Sequence, residues 1–386
     1  MTATSPGTAV VVGAGIAGLT TALALLDAGW SCRVYEAAPG PHPEGAGIHV
    51  APNGMRVLQR LGVDLARYGS AMDALAIRRW ANGRIIGTLD LTGIKDAPYY
   101  TLHRADLNRA LRAGIPEGTV TYGAAVTRVD EDADGVRVRL SDGSSVRSDL
   151  LIGADGIHST IRNQLCGDSP RYTGNVMYRG IVPSDRVPES VDPRHATIWA
   201  GPERHFVAYP ISGGSAYYIS ASADGQPWTS PGWSEPGDPD MVLGHYEDWD
   251  ATVTHLLTSV TTMTRWALYD RPLSSAWKAA RITLVGDAAH AMPPFLAQAA
   301  NLAMEDAVRL AASLATHADP VEALRAYESE RAERVRTIHD LTAEHGARFR
   351  LPDGPRQQAR DADLARGSMA SDFGWIFDYN AASSPT

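Results

Sequence analysis

The spacing of apolar positions along this chain changes period several times, and each change predicts an element. Residues 9–12 form an unbroken apolar run rich in β-branched side chains, the pattern of a strand buried on both faces. Glycines follow at once at Gly13, Gly15 and Gly18. A helix is predicted over 19–28, with Gly29 as its C-cap, and then a strand over 31–36 that ends on an acid, Glu36. The stretch 37–48 is too rich in glycine and proline for either period and reads as a mobile loop. Further helices are predicted from Pro52-Asn53 to Leu61, closed by Gly62, and from His103-Arg104 onward.

Residues 120–150 alternate apolar and polar, with turn signals at Asp134-Gly135 and Asp142-Gly143, as in an antiparallel meander. From 171 to 277 the chain is rich in Trp, Tyr, Pro and Gly and carries short alternating stretches such as 206–209 and 216–220. That region predicts a second, mostly antiparallel domain, with 226–239 as a surface loop. Residues 282–286 read as one more buried strand, and 301–350 as helix, with Glu322, Glu328, Glu330 and Glu333 on a solvated face. The segment after Pro352 is polar and reads as a tail.

The glycine pattern has a physical reading. The first glycine permits a tight turn, the second lets a pyrophosphate approach the backbone, and the third lets the following helix pack close to the sheet. The helix N-terminus faces the phosphates, and Glu36 stands where a carboxylate accepts ribose hydroxyls and repels a 2′-phosphate. The expected dinucleotide is FAD or NAD, not NADP. Two later fragments extend the site: Asp155-Gly156 followed by Arg162, and Gly286-Asp287 at the end of a strand. Pro293-Pro294 then leads to a helix starting near Ala299 to Asn301, whose free amides favour negative charge.

At 386 residues two domains are expected. A net charge of −9 without a basic run argues against nucleic acid. Two cysteines are too few for a disulfide framework, and neither a signal peptide nor a membrane span is read from the sequence, so a cytoplasmic protein is expected. The twelve histidines show no metal-binding spacing, and no metal is assigned.

Taken in order, the three fragments resemble the single-component FAD-dependent aromatic hydroxylases, the class A flavoprotein monooxygenases, over roughly residues 8–345. The salicylate and 3-hydroxybenzoate hydroxylase branch is the most similar. The resemblance implies an α/β fold: a Rossmann-like (GR2-type) FAD-binding domain from 1–75, 100–170 and 280–350, interleaved with a substrate domain from 76–99 and 171–279, then C-terminal helices and a tail over 351–386. It assigns to cofactor binding Gly13, Gly15, Gly18, Glu36, Gly47, Arg104, Val126, Asp155, Gly156, Gly286, Asp287, Pro294, Ala299, Ala300 and Asn301. Asp155 and Arg162 are expected where FAD and the nicotinamide approach each other. The family has Gln-Gly-Ala-Asn or similar at the flavin edge, whereas this chain has Gln298-Ala299-Ala300-Asn301, and the Ala299 methyl is expected to crowd the ring.

The chemistry implied is hydroxylation of a small aromatic substrate, phenolic or hydroxybenzoate-like, by NADH or NADPH and O2 through a C4a-hydroperoxyflavin. His205 and Tyr209, four apart on a strand, share a face, and the resemblance brings Gln298 to meet them. Histidine with an ordinary pKa near ~6.5 suits deprotonation of a phenol. Two alternatives stand: a flavin monooxygenase acting on a larger indole, polyketide or drug by hydroxylation or epoxidation, and a non-catalytic flavin-binding regulator. A flavin amine oxidase shares only the first fragment. Either a monomer or a homodimer is compatible.

Overall fold

The computed structural model describes residues 6–41, 45–225, 227–230, 232–273 and 279–383. The predicted first strand is Thr8–Val12, at the centre of a parallel sheet ordered Ile282–Leu284, Leu150–Gly153, Thr8–Val12, Ser31–Glu36, Val120–Tyr122. The chain leaves Thr8–Val12 toward Ser31–Glu36 on one side and later returns to lay Leu150–Gly153 on the other. A crevice opens where the winding reverses, at the carboxyl ends of these strands. Gly13 and Ala154 face each other there: a Cβ on Gly13 would lie 2.5 Å from the Ala154 carbonyl oxygen.

The helix Ile16–Asp27 follows, ending at Ala28 with Gly29 left-handed at φ 84°. Pro52–Arg60 and Arg104–Ala113 form as expected. Val126–Asp132, Gly135–Leu140 and Ser145–Ser148 make the antiparallel meander that the two Asp-Gly turns announce.

An eight-stranded sheet runs Ser234–Pro236, Thr262–Asp270, Arg171–Pro183, Ala216–Asp224, His205–Ile211, His195–Ala200, Ala74–Arg79, Ile85–Asp90. Its pairs are antiparallel except His195–Ala200 with Ala74–Arg79. Strand alternation divides its side chains between two faces. Val176, Tyr178, Phe206, Ala208, Ile219 and Ala221 pack with Val253, Leu256 and Leu257 in a separate apolar cluster. Met177, Arg179, His205, Val207, Tyr209, Tyr218 and Ser220 lie on the other face, which looks toward the crevice.

Two expectations need correction. The supposed tail folds into helices Pro355–Ala365 and Ser368–Phe377, because Met369, Phe373 and Phe377, spaced by four, form a buried stripe. The helical stretch over 301–350 forms as expected, as the two helices Ala299–Thr316 and Pro320–Phe349, the second restarted by an Asp319 cap and Pro320 at its first turn. The surface loop over 226–239 contributes the edge strand Ser234–Pro236. Residues 42–44 of the loop expected to be mobile lie outside the described residues.

Candidate active site

Between the parallel sheet and the cavity-facing side of the large sheet lies a cleft enclosing about 280 Å³. Its upper wall is built by the three sequence fragments. Gly15, Ile16 and Ala17 line it, and the helix Ile16–Asp27 begins there with no side-chain cap, leaving amides free for an anion.

The three glycines divide their work as the fingerprint requires. Gly13 takes φ 102°, Gly18 would drive a Cβ to 1.9 Å from the Gly13 carbonyl oxygen, and Gly15 faces open space. A side chain at Gly15 would fill that space, which is the cradle a pyrophosphate needs. Glu36 is anchored beside it, accepting from the Ala14 amide at 2.7 Å and the Ala38 amide at 2.8 Å. Each oxygen keeps lone-pair capacity for a ribose hydroxyl. The cleft therefore fits a dinucleotide.

The second wall comes from Gly286-Asp287 and the start of helix Ala299–Thr316. Gly286 (φ 59°) packs so tightly that a Cβ would lie 2.8 Å from the Ala17 methyl. Asp287 is exposed to the cleft, as is Arg104 opposite, and the two attract. Pro294, Ala299 and Ala300 line the cleft, and the helix again starts without a side-chain cap. The Ala299 methyl also packs against the main apolar cluster.

A buried charge network holds this wall. Asp306 accepts from the Gly286 amide (2.9 Å), from His290 Nε2 (2.6 Å) and from Arg331 Nε (2.8 Å). Burial alone would raise the Asp306 carboxyl; His290 and Arg331 instead hold it down at about 2. Glu305 accepts from Asn53, Arg331 and Arg334. The chain announces this network only by placing Glu305-Asp306 within an apolar helix face, a signal the sequence analysis passed over.

Several expected site residues do other work. Asn301 is buried, accepting from the Ala51 amide at 2.9 Å and donating to the Ala297 carbonyl at 2.8 Å, so it fixes the helix start rather than lining the cleft. Gln298 does not meet His205 and Tyr209: its side-chain carbonyl accepts from Asn53 at 3.0 Å, and it is absent from the cleft wall. The Asp155 carboxylate turns away to cap helix Thr160–Cys166 through Ser159 and the Thr160 amide, leaving Gly156 at the wall. Arg162 is fully buried and saturated by Asp168 and the carbonyls of Ala288, Ala289 and Pro272. Val126 is 9% exposed within the core and does not line the cleft.

The floor is the large sheet. His205 and Tyr209 do share it, as their spacing predicts, with Gly47 against Tyr209: a Cβ there would lie 2.6 Å from the phenol oxygen. The His205 ring meets Phe295 edge-on at 5.6 Å, and its Nδ1 has no partner among the described residues. Burial, reinforced by Arg350, pushes its pKa down to about 3. The expectation of a histidine titrating near neutrality is thus corrected: the ring is a neutral acceptor. His49 and Arg179 complete the floor and were missed by sequence reasoning. His49 binds the Tyr99 hydroxyl at 2.7 Å and stands edge-on to Tyr209 at 4.2 Å. Groups of His, Cys, Asp and Glu able to hold a metal are absent among the described residues.

A dinucleotide crevice facing a floor of mixed aromatic, aliphatic and polar side chains is the arrangement of a flavoprotein oxidoreductase. Residues 7–342 match the family described as the FAD binding domain, and the chain belongs to that family. It is 42% identical over 379 residues to a 3-amino-4-hydroxybenzoate 2-monooxygenase of Streptomyces platensis, covering 96% of each chain. It is 33% identical over 386 residues to a 3-hydroxybenzoate 6-hydroxylase of Polaromonas naphthalenivorans, again 96% of each. Among solved structures, the Klebsiella pneumoniae HpxO protein complexed with FAD and uric acid superposes with a TM-score of 0.84 at 30% identity, covering 98% of this chain and 97% of that one. The protein is an FAD-dependent class A flavin monooxygenase. Among the described residues no helix is long and apolar enough to cross a membrane.

Proposed function

We propose that this enzyme hydroxylates an aminohydroxybenzoate or a closely similar hydroxybenzoate. The observation that carries the reading is the 42% identity over 96% of both chains to a 3-amino-4-hydroxybenzoate 2-monooxygenase. The floor supports it with ring-sized apolar walls and a few polar groups. When bound, FAD reduced by NAD(P)H supplies one oxygen atom of O2 to a ring C–H, the other leaving as water.

The chain's own residues bind, orient and keep the site dry. Gly15, Glu36 and the helix start at Ile16 would hold the dinucleotide, and the amides at Ala299 and Ala300 would face the charged edge of the flavin. His205 would accept a hydrogen bond from the ring hydroxyl or amine, raising electron density on the ring without taking a full positive charge itself. Tyr209 stays protonated, since burial raises its phenol well above the ordinary value, and it would orient the ring as a donor. Phe295, Val207 and Met177 exclude water. A cytoplasmic monomer or homodimer accompanies this reading, supported by two free cysteines.

The test is oxidation of NADH and NADPH in air by the yellow enzyme with a panel of amino- and hydroxybenzoates. The expected result is one acid that stimulates oxidation and yields a product heavier by one oxygen. Stimulation only by a larger phenol or indole would replace this substrate class, and bound flavin with no oxidation at all would favour a binding regulator.

A further inference from the structure

The cleft floor holds a cation with no counter-ion of its own. Arg179 comes from the strand Arg171–Pro183, lies directly opposite Ser220 in register, and Ser220 lies opposite Val207. His205 stands two residues from Val207 on the same face. Arg179 and His205 are therefore two strands apart, roughly 10 Å across the sheet, with the intervening floor open to the cavity. That span suits one aromatic ring carrying polar groups at opposite ends.

The guanidinium is laid on the face of Trp266, its carbon 4.5 Å from the ring centroid, so its plane is held. Among the described residues it makes no ion pair, and its Nε is buried without a hydrogen-bond partner. An unpaired buried donor is costly, and a planar fork held in one orientation is the geometry that grips a carboxylate through two N–H bonds. Arg104, the other arginine of the cleft, stands on the dinucleotide side, where burial lowers its pKa, Asp287 attracts it and Arg179 repels it. The Ser220 hydroxyl, beside Arg179, supplies a further donor.

We infer that Arg179, with Ser220, forms the subsite for the carboxylate of an aromatic acid and selects acids over the corresponding phenols. The inference rests on the proposed hydroxybenzoate reading and names the residues that would enforce it. His205 then meets the opposite, hydroxyl-bearing end of the ring.

The experiment uses the FAD-loaded enzyme, titrated calorimetrically with 3-amino-4-hydroxybenzoate and with 2-aminophenol, the same ring bearing hydrogen in place of the carboxylate. The wild type should bind the acid more tightly. Arg179→Met should weaken acid binding roughly 10- to 100-fold while leaving 2-aminophenol affinity and FAD content unchanged. Arg179→Lys, which keeps the charge but loses the fork, should fall between. If Arg179→Met binds the acid as the wild type does, Arg179 is not the anchor, although the hydroxybenzoate reading stands. If the variant loses FAD while keeping the preference for acid, the guanidinium serves the cofactor and the subsite is overturned. If the wild type itself neither binds nor oxygenates any aromatic acid, the functional reading and the subsite fall together.

Discussion

His205 is 4% exposed, and that burial decides what it can do chemically. A neutral imidazole whose conjugate acid is stable only below about pH 3 does not store a proton at neutral pH; it accepts a hydrogen bond and shares density with its donor. Two consequences can be measured. His205→Ala should lower the hydroxylation rate roughly 10- to 100-fold, the scale of one hydrogen bond to a group developing charge, while the visible flavin spectrum is kept. The wild-type pH profile should also show no acidic limb near 6.5 that disappears in the variant. Turnover of His205→Ala equal to wild type would remove the residue from the reaction. The pairing of His205 with Tyr209 was legible in the sequence, because a strand puts positions four apart on one face. The lowered basicity was not, since it arises from Phe295, Phe349 and Arg350, all distant in the chain.

Among the elements, the helix Ala299–Thr316 carries the most, because it presents its start to the cleft and its middle to the buried charge network. Asp306 joins that helix to the Gly286 turn and to Arg331 of Pro320–Phe349. Asp306→Ala would leave the fully buried Arg331 with Glu305 as its one carboxylate partner among the described residues, and would remove the acceptor of the Gly286 amide. Removing one member of a buried ionic network costs about 3–5 kcal/mol, so the variant should unfold at clearly lower urea concentration and retain less FAD. A midpoint matching the wild type would show that Glu305 alone carries Arg331. Sequence pattern located this helix and its start at Ala299 because apolar periodicity and an extended Pro293-Pro294 approach are local signals. It missed the network because Glu305, Asp306 and Arg331 only become partners once two helices pack. Likewise, Gln298 and Asn301 sit where the motif puts them, yet Asn53 and Ala51, some 250 residues earlier, draw their side chains away from the cleft. Arg179 had no local signal at all, since one arginine in an alternating strand is ordinary until the sheet register places it on the cavity face.

For the whole molecule, the cavity face of the large sheet buries His205 in its neutral form, and this ties stability to pH. His205 binds no proton in the native state until about pH 3, whereas in the unfolded chain it takes one near the ordinary 6.5. Between those values the unfolded state holds more protons, so stability rises with pH; the contribution is fully present above about 6.5 and is lost progressively as pH falls toward 3. Carboxylates such as Asp306 add their own loss only at lower pH, beginning below their ordinary value of 3.8. A comparison with His205→Gln isolates the histidine, because glutamine keeps polarity and does not titrate. Urea unfolding of both proteins from pH 8 to 5 should give a constant stability difference above about 7. Below it, the wild type should lose stability relative to the variant, approaching about 1.4 kcal/mol per pH unit for one proton. A difference that stays constant across the range would mean that His205 protonates equally in both states. The closed floor would then be open enough to solvate an imidazolium, and the dry site on which the proposed chemistry depends would have to be assigned to another part of the cleft.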